Sequence, residues 1–145
     1  MFKHILVPTD GSKLSEKAVK KAASLARQTK AKLSAVHVMP KFHTFTYQAE
    51  MLEVTAKEYE ASALDRANQY LRYVERVAGN AGVECDGVSA FSDQPYQEII
   101  GTAQKKKCDL IVMASHGRRG IEGFLLGSET QKVLTHSKVP VLVLR

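Results

Sequence analysis

The sequence predicts an open, doubly wound α/β sheet of five parallel strands, and three observations carry that reading. Short apolar runs alternate with longer amphipathic segments along all 145 residues. Each connection between runs is long enough to hold a helix, which a parallel crossover needs and a hairpin does not. One run, Asp109-Leu110-Ile111-Val112-Met113-Ala114, is almost wholly apolar, as suits a strand covered on both faces.

Residues 3–8 (KHILVP) form a short buried strand. Asp10-Gly11-Ser12 then supplies the turn and cap of a helix over 12–29. Its inner face is Leu14, Ala18, Ala22, Leu25 and Ala26, small enough to let the helix lie close on a sheet, and Lys13, Lys17, Lys20, Lys21, Arg27 and Lys30 form its wet face. Residues 32–39 (KLSAVHVM) are the second strand, ended by Pro40, and 41–47 an irregular loop. A long helix follows over about 48–79, with Leu52, Ala56, Tyr59, Ala63, Tyr70, Val74 and Val77 at three- and four-residue steps. Gly79-Asn80-Ala81-Gly82 ends it with residues that tolerate positive φ.

Residues 83–91 (VECDGVSAF) are the third strand. Gln94-Pro95 opens the next helix with proline at its first position, turning Ile99, Ile100 and Ala103 inward. Lys105-Lys106-Lys107 closes it, where cations suit the negative end of the dipole. The apolar strand 109–114 leads into a glycine-bearing loop at 115–126, a helix at about 127–137 and a last strand at 140–144 (PVLVL). Crossovers between parallel strands are right-handed. Ligands of such sheets sit beyond the carboxyl ends of the strands, where the strand order reverses. That directs attention to Pro8-Thr9-Asp10, to Val38-Met39, and to Ala114 through Ser128.

The bulk numbers set bounds. With 44% hydrophobic and 25% charged residues, the length suits one domain over 1–145. No apolar run approaches the ~20 residues of a membrane span. Lys3 and His4 are followed only by Ile5-Leu6-Val7 before Pro8, a poor signal peptide, so a cytoplasmic protein is expected. Cys85 and Cys108 have no CxxC spacing and read as buried, reduced thiols. His37, His43 and His136 lack metal-ligand spacing, so no structural metal is expected. The net charge of +6 is compatible with an anionic ligand. It is spread along the chain, and no basic run is interleaved with aromatics, which argues against a dedicated nucleic-acid role.

The loop after the apolar strand carries the most chemistry. Glycines stand at 117, 120, 123 and 127, and Ser128 then opens a helix, where it is placed to cap or to donate to a phosphate oxygen. Free N–H groups at a helix start, with the positive dipole end, make an anion site, and glycine lets a phosphate approach the backbone. Taken alone, the loop is equally a phosphate site or a plain glycine-rich connection. No Gly-Lys-Ser/Thr ends it and no GxGxxG follows the first strand, so P-loop hydrolysis and dinucleotide chemistry are disfavoured. Thr9-Asp10-Gly11-Ser12 is too short, and too poor in hydroxyls, to cradle a flavin phosphate. His116 reads as an exposed loop residue or a phosphate contact, and Arg118 and Arg119 as phosphate ligands or solvated cations.

The stretch Ala114-x2-Gly117-x9-Gly127-Ser128 resembles the nucleotide loop of the universal stress protein family, whose usual form is G-x2-G-x9-G-S/T. Ile5-Leu6-Val7-Pro8-Thr9-Asp10-Gly11-Ser12 looks like that family's first strand and turn, Asp109 through Met113 like its fourth strand, and Val139-Pro140-Val141-Leu142-Val143-Leu144 like its last. The resemblance implies strand order 3-2-1-4-5, a cytoplasmic stress-response regulator, and a homodimer paired through Val141–Leu144. It implies ATP at the carboxyl ends of the strands in members that keep the loop, with Mg²⁺ as a companion of the nucleotide; nothing in the sequence would position a water for fast attack, so no enzyme, or at most a slow ATPase, is expected. Asp10 would contact the adenosine portion, and a nucleotide-bound Mg²⁺, with Pro8 and Thr9 lining the pocket and the Val38 backbone meeting adenine. Gly117, Gly127, Ser128 and Glu129 would hold phosphates, mostly by backbone N–H. Met113, Ala114, His116, Arg118 and Thr130 complete the expected nucleotide contacts. Two positions depart from the family pattern: Ala114 replaces its first glycine, and Ser92-Asp93-Gln94-Pro95 replaces its Gly-x-Pro turn. Alanine keeps the N–H but makes positive φ costly. A strained backbone at 114 would therefore favour a nucleotide-free homodimeric interaction protein of the same fold.

Overall fold

The computed structural model describes residues 1–43, 49–118 and 125–145, and their side chains except those of 49–54. In chain order the elements are β1 (His4–Pro8), α1 (Lys13–Thr29), β2 (Lys32–Met39), α2 (Ala49–Asn80), β3 (Cys85–Phe91), α3 (Pro95–Lys105), β4 (Leu110–Ala114), α4 (Ser128–His136) and β5 (Val141–Leu144). The strands form one sheet in the order β3-β2-β1-β4-β5, every pair parallel, as the sequence led us to expect. Part of the predicted 41–47 loop, and Arg119, Gly120 and Gly123, lie outside the described residues, as does the side chain of Leu52.

Alternation along the strands divides the core in two. Ile5 and Val7, Leu33 and Ala35, Leu110 and Val112 point to the face covered by α1 and α2. Leu6, Val36, Ile111 and Met113 point to the other, against Ile99 and Ala103 of α3 and Val133 of α4. All five residues of β4 are buried, which a strand covered on both faces requires. Burying a Val, Leu or Ile side chain is worth roughly 1.5–3 kcal/mol, so the six aliphatic side chains of β1 and β4 that are almost wholly buried (Ile5, Leu6, Val7, Leu110, Ile111 and Val112) anchor the centre of the sheet.

The helices differ from the sequence reading in phase. Ser15, Ala18, Val19, Ala22, Ala23 and Ala26 form the buried face of α1, whereas Leu14 and Leu25 are only partly covered. Alanine and serine at the contact bring the helix axis closer to the sheet than leucine permits. Ser12 caps α1, accepting the Ser15 N–H at 3.2 Å. On α2 the buried stripe is Ala63, Ala67, Leu71, Val74 and Ala78, and the tyrosines flank it. Pro95 occupies the first turn of α3, as expected. Lys106 caps the other end of α3 and Lys107 follows with φ +56°.

The amino ends of the strands are tied together by polar groups. The Asp109 carboxylate accepts the N–H of Lys3 at 2.9 Å and of His4 at 3.0 Å, and the Asp109 N–H donates back to the His4 carbonyl at 2.9 Å. Ser34, wholly buried, bonds His4 Nε2 at 2.8 Å and donates to Asp86, whose other oxygen takes Lys106 Nζ. Partial burial raises the Asp86 pKa, but the bonds from Lys106 and Ser34 outweigh it and hold the group below the ordinary value. Among the described residues no helix is long and apolar enough to cross a membrane.

Candidate functional site

A cleft of about 650 Å³ opens at the carboxyl ends of the strands. Its position follows from unequal strand lengths. β1 and β2 stay in register up to Pro8 opposite Val36, and the Thr9 N–H closes the ladder on the Val36 carbonyl at 2.9 Å. β2 runs on to Met39 beside β3. Main-chain groups two residues apart point the same way, so the N–H and C=O of Val38 face the side that β1 has left. A donor and an acceptor of the backbone are thereby presented to the cleft. Pro8, Thr9, Asp10 and Val38 line this part.

Asp10 is a junction between the loop after β1 and the loop after β4. Its Oδ1 accepts the Ser12 N–H at 2.9 Å and its Oδ2 the Arg118 N–H at 2.7 Å. Burial raises its pKa, but the bonds from Ser12, Arg118 and Ser15 outweigh that and hold the carboxyl below the ordinary 3.8. Gly117 lies so close that a Cβ there would overlap Asp10 Oδ2. The glycine serves close approach here, since its φ is not positive.

The start of α4 forms the opposite wall, with Met113, Ala114, His116, Gly117, Arg118, Gly127, Ser128, Glu129 and Thr130 on the lining. All thirteen positions singled out from the sequence therefore surround one cleft. Their local roles differ in three respects from the expectation. Gly127 holds the N-cap position, with φ −61° and ψ 152°, and its own N–H is spent on the Ser115 carbonyl at 2.7 Å. It therefore offers no N–H to a phosphate. Ser128 is the first helical residue and does not cap; its side chain is exposed. The carboxylate of Glu129 accepts the Tyr96 N–H in the first turn of α3 at 2.9 Å and a proton of Lys132 Nζ at 3.3 Å. Thr130 donates to the Ala114 carbonyl at 3.0 Å, fixing α4 to the end of β4. Among the described residues no side chain caps the first-turn N–H groups of α4, which leaves a helix start suited to an anion.

Ala114 itself is the last residue of β4, paired with Leu144 and not among the residues of positive φ. Extended backbone accepts alanine without strain, so alanine in place of glycine carries no backbone penalty at this position.

Among the cleft residues not singled out from the sequence are His37, Tyr59, Arg66 and Tyr70. His37 Nδ1 donates to the Thr9 carbonyl at 2.8 Å, and its ring meets the Tyr70 ring edge-on at 5.0 Å. Burial is the main cause that pushes the His37 pKa below 6.5, against the pull of the Thr9 carbonyl and Asp10. Tyr70 lies over Gly11, whose φ of +76° and missing Cβ leave room for the ring. The Tyr59 hydroxyl donates to the Pro40 carbonyl at 2.6 Å. By its spacing His37 reads only as a non-ligand of metal, and Tyr59 and Tyr70 fall on the helix stripe; an i, i+4 stripe does not separate core from cleft wall. Among the described residues, no group of three or more His, Cys, Asp or Glu side chains is placed to hold a metal ion.

A parallel sheet of this order, with a ligand-sized cleft where the strand order reverses, is a doubly wound α/β architecture of the kind that binds its ligands at the carboxyl ends of the strands. The model of the universal stress protein family matches residues 1–145, and the chain belongs to that family. It is 31% identical to a universal stress protein of Methanocaldococcus jannaschii, covering all of this chain and 83% of that one. It is 32% identical to universal stress protein YxiE of Bacillus subtilis over the whole of both. Among solved structures, it matches the hypothetical protein MJ0577 with TM-score 0.84 and 26% identity, over 99% of this chain and 96% of that one. A universal stress protein in complex with cAMP matches with TM-score 0.72 and 27% identity, over 99% and 97%.

Proposed function

We propose that the cleft binds an adenine nucleotide, ATP with Mg²⁺ in the first instance, and that the chain is a nucleotide-responsive regulator of the cytoplasmic stress response. The observation that carries this is the pairing, in one cleft, of the free main-chain edge at Val38 with the uncapped start of α4. The first matches the donor–acceptor edge of adenine, and the second suits phosphate. Asp10, between them in the loop after β1, is an acceptor for ribose hydroxyls. The 27%-identical relative held with cAMP supports the same ligand class. The extended backbone at Ala114 supports the same reading, since alanine there carries no positive-φ penalty.

The homodimer belongs to the same proposal. β5 is an edge strand, and Leu142 is 41% exposed on it. A second copy pairing along Val141–Leu144 would cover both the open ladder and the apolar side chains. Catalysis is proposed as slow ATP hydrolysis at most.

The test is direct. Freshly purified protein is denatured and its extract analysed for nucleotides, and the stripped protein is titrated with ATP and Mg²⁺ by calorimetry. Co-purified adenine nucleotide, or micromolar binding, supports the reading. An empty extract and no binding up to millimolar ATP leaves the nucleotide-free dimer.

A further inference from the structure

The geometry points to Arg118 as the residue by which the cleft tells a phosphorylated nucleoside from a bare one, with Tyr70 as its resting perch; the inference rests on the adenine-nucleotide reading above. The base of Arg118 is fixed, because its N–H is held by Asp10 Oδ2 at 2.7 Å. Among the described residues its guanidinium is not matched to an opposite charge. Nη2 donates to two neutral acceptors, the Asp10 carbonyl at 3.4 Å and the Tyr70 hydroxyl at 3.2 Å, and the group lies 5.8 Å from the Tyr70 ring centroid. It takes part in none of the ion pairs among the described residues, and the residue is exposed.

The perch is rigid where the arginine is not. Tyr70 is set between the Cβ-less Gly11 and the His37 ring, so its hydroxyl keeps one position at the cleft. A guanidinium on two long bonds to neutral oxygens is held weakly, while a phosphate offers it two parallel charge-assisted bonds. A ligand phosphate lying at the start of α4 therefore draws the side chain off Tyr70, and a nucleoside without phosphate leaves it there. Arg118 adds affinity only for the phosphorylated ligand, and Tyr70, as the positioning residue, sets how much of that affinity is spent on release.

Calorimetric titration of the stripped chain with adenosine and with AMP, at one ionic strength, tests this through the ratio of the two affinities. Arg118→Ala lowers the AMP-to-adenosine ratio at least tenfold, equivalent to about 1.4 kcal/mol. Arg118→Lys restores part of it, since the charge returns without the planar fork. Tyr70→Phe keeps the ring and removes one bond of the perch, so the ratio rises roughly two- to five-fold. An unchanged ratio in Arg118→Ala, with a native circular dichroism spectrum, overturns the assignment of Arg118. A lowered ratio in Tyr70→Phe overturns the perch. Equal affinity of the native chain for both ligands defeats this inference alone, whereas binding of neither defeats the nucleotide reading and this inference with it.

Discussion

Replacing Gly127 by valine tests the packing of the loop as well as its proposed ligand. A Cβ at this position would stand 3.0 Å from His116 Cα, 3.3 Å from His116 Cβ and 3.3 Å from the Ser115 carbonyl oxygen. Two of those three are backbone atoms, so no side-chain rotation relieves the contact, and valine adds two further carbons. The 2.7 Å bond from the Gly127 N–H to Ser115 lies in the same contact and lengthens when the strands of the loop separate. Overpacking of this kind costs about 1–3 kcal/mol, and a stretched backbone bond adds up to about 1 kcal/mol. A loss of about 2 kcal/mol lowers the melting temperature of a domain this size by roughly 4–8 °C. Displacing His116 also moves the wall beside the α4 start, so ATP affinity falls at least tenfold, about 1.4 kcal/mol. Scanning calorimetry and ligand titration read the two effects separately. A Gly127→Val protein with native melting temperature and native affinity would refute the reasoning.

Three other outcomes follow from the cleft and the core. Gly11→Ala meets two penalties at once, φ +76° and the Tyr70 ring in the space of the new Cβ; a loss of at least about 2 kcal/mol is expected in urea denaturation, and a neutral result would show that Tyr70 is free to move. His37 has a folded pKa below its ordinary 6.5, so the folded state binds fewer protons than the unfolded one between the two values. Its stabilising contribution is complete above 6.5 and is lost as pH falls through the folded pKa; thermal melts from pH 7.5 to 5 should show a steeper decline in the native chain than in His37→Gln. Of the two thiols expected to be buried, only Cys108 is; Cys85 is partly exposed. Partial burial still pushes the Cys85 thiol up to about 12 and burial the Cys108 thiol up to about 11, so both react slowly with thiol reagents at pH 7.5 until denaturant is added, and rapid labelling of the native protein would contradict their environment.

Features written in local periodicity were legible in the sequence. The apolar run 110–114 fits a doubly covered strand, Pro95 fits the first turn of a helix, and Ser12 is a cap by type and place. Strand order came from family resemblance, because alternation gives connections and not neighbours. The lining of the cleft was half legible. Residues at strand ends and around glycines were marked by position, whereas Tyr59, Arg66 and Tyr70 come from one face of α2, whose stripe carries core and cleft side chains alike. Glu129 was read as part of a phosphate loop because nothing local shows that its carboxylate reaches Tyr96, 33 positions away. The buried face of α1 was read through its leucines, when the alanines and Ser15 make the contact. Leucine marks burial by hydrophobicity, but the closest helix–sheet approach selects for small size.

The polar ties at the amino ends of the strands have a consequence for how the molecule breathes. Asp109 joins β4 to β1, and Ser34 with Asp86 joins β2 to β1, β3 and the end of α3, all at the rim away from the cleft. At the cleft rim the ladder has already run out at Val38. Between β1 and β2, local opening is therefore cheaper past Val36, where the ladder ends, than at the amino ends, where side chains tie the strands together. The sheet is bound at its handle, and at the other end β1 and β2 diverge to leave the gap that the cleft occupies.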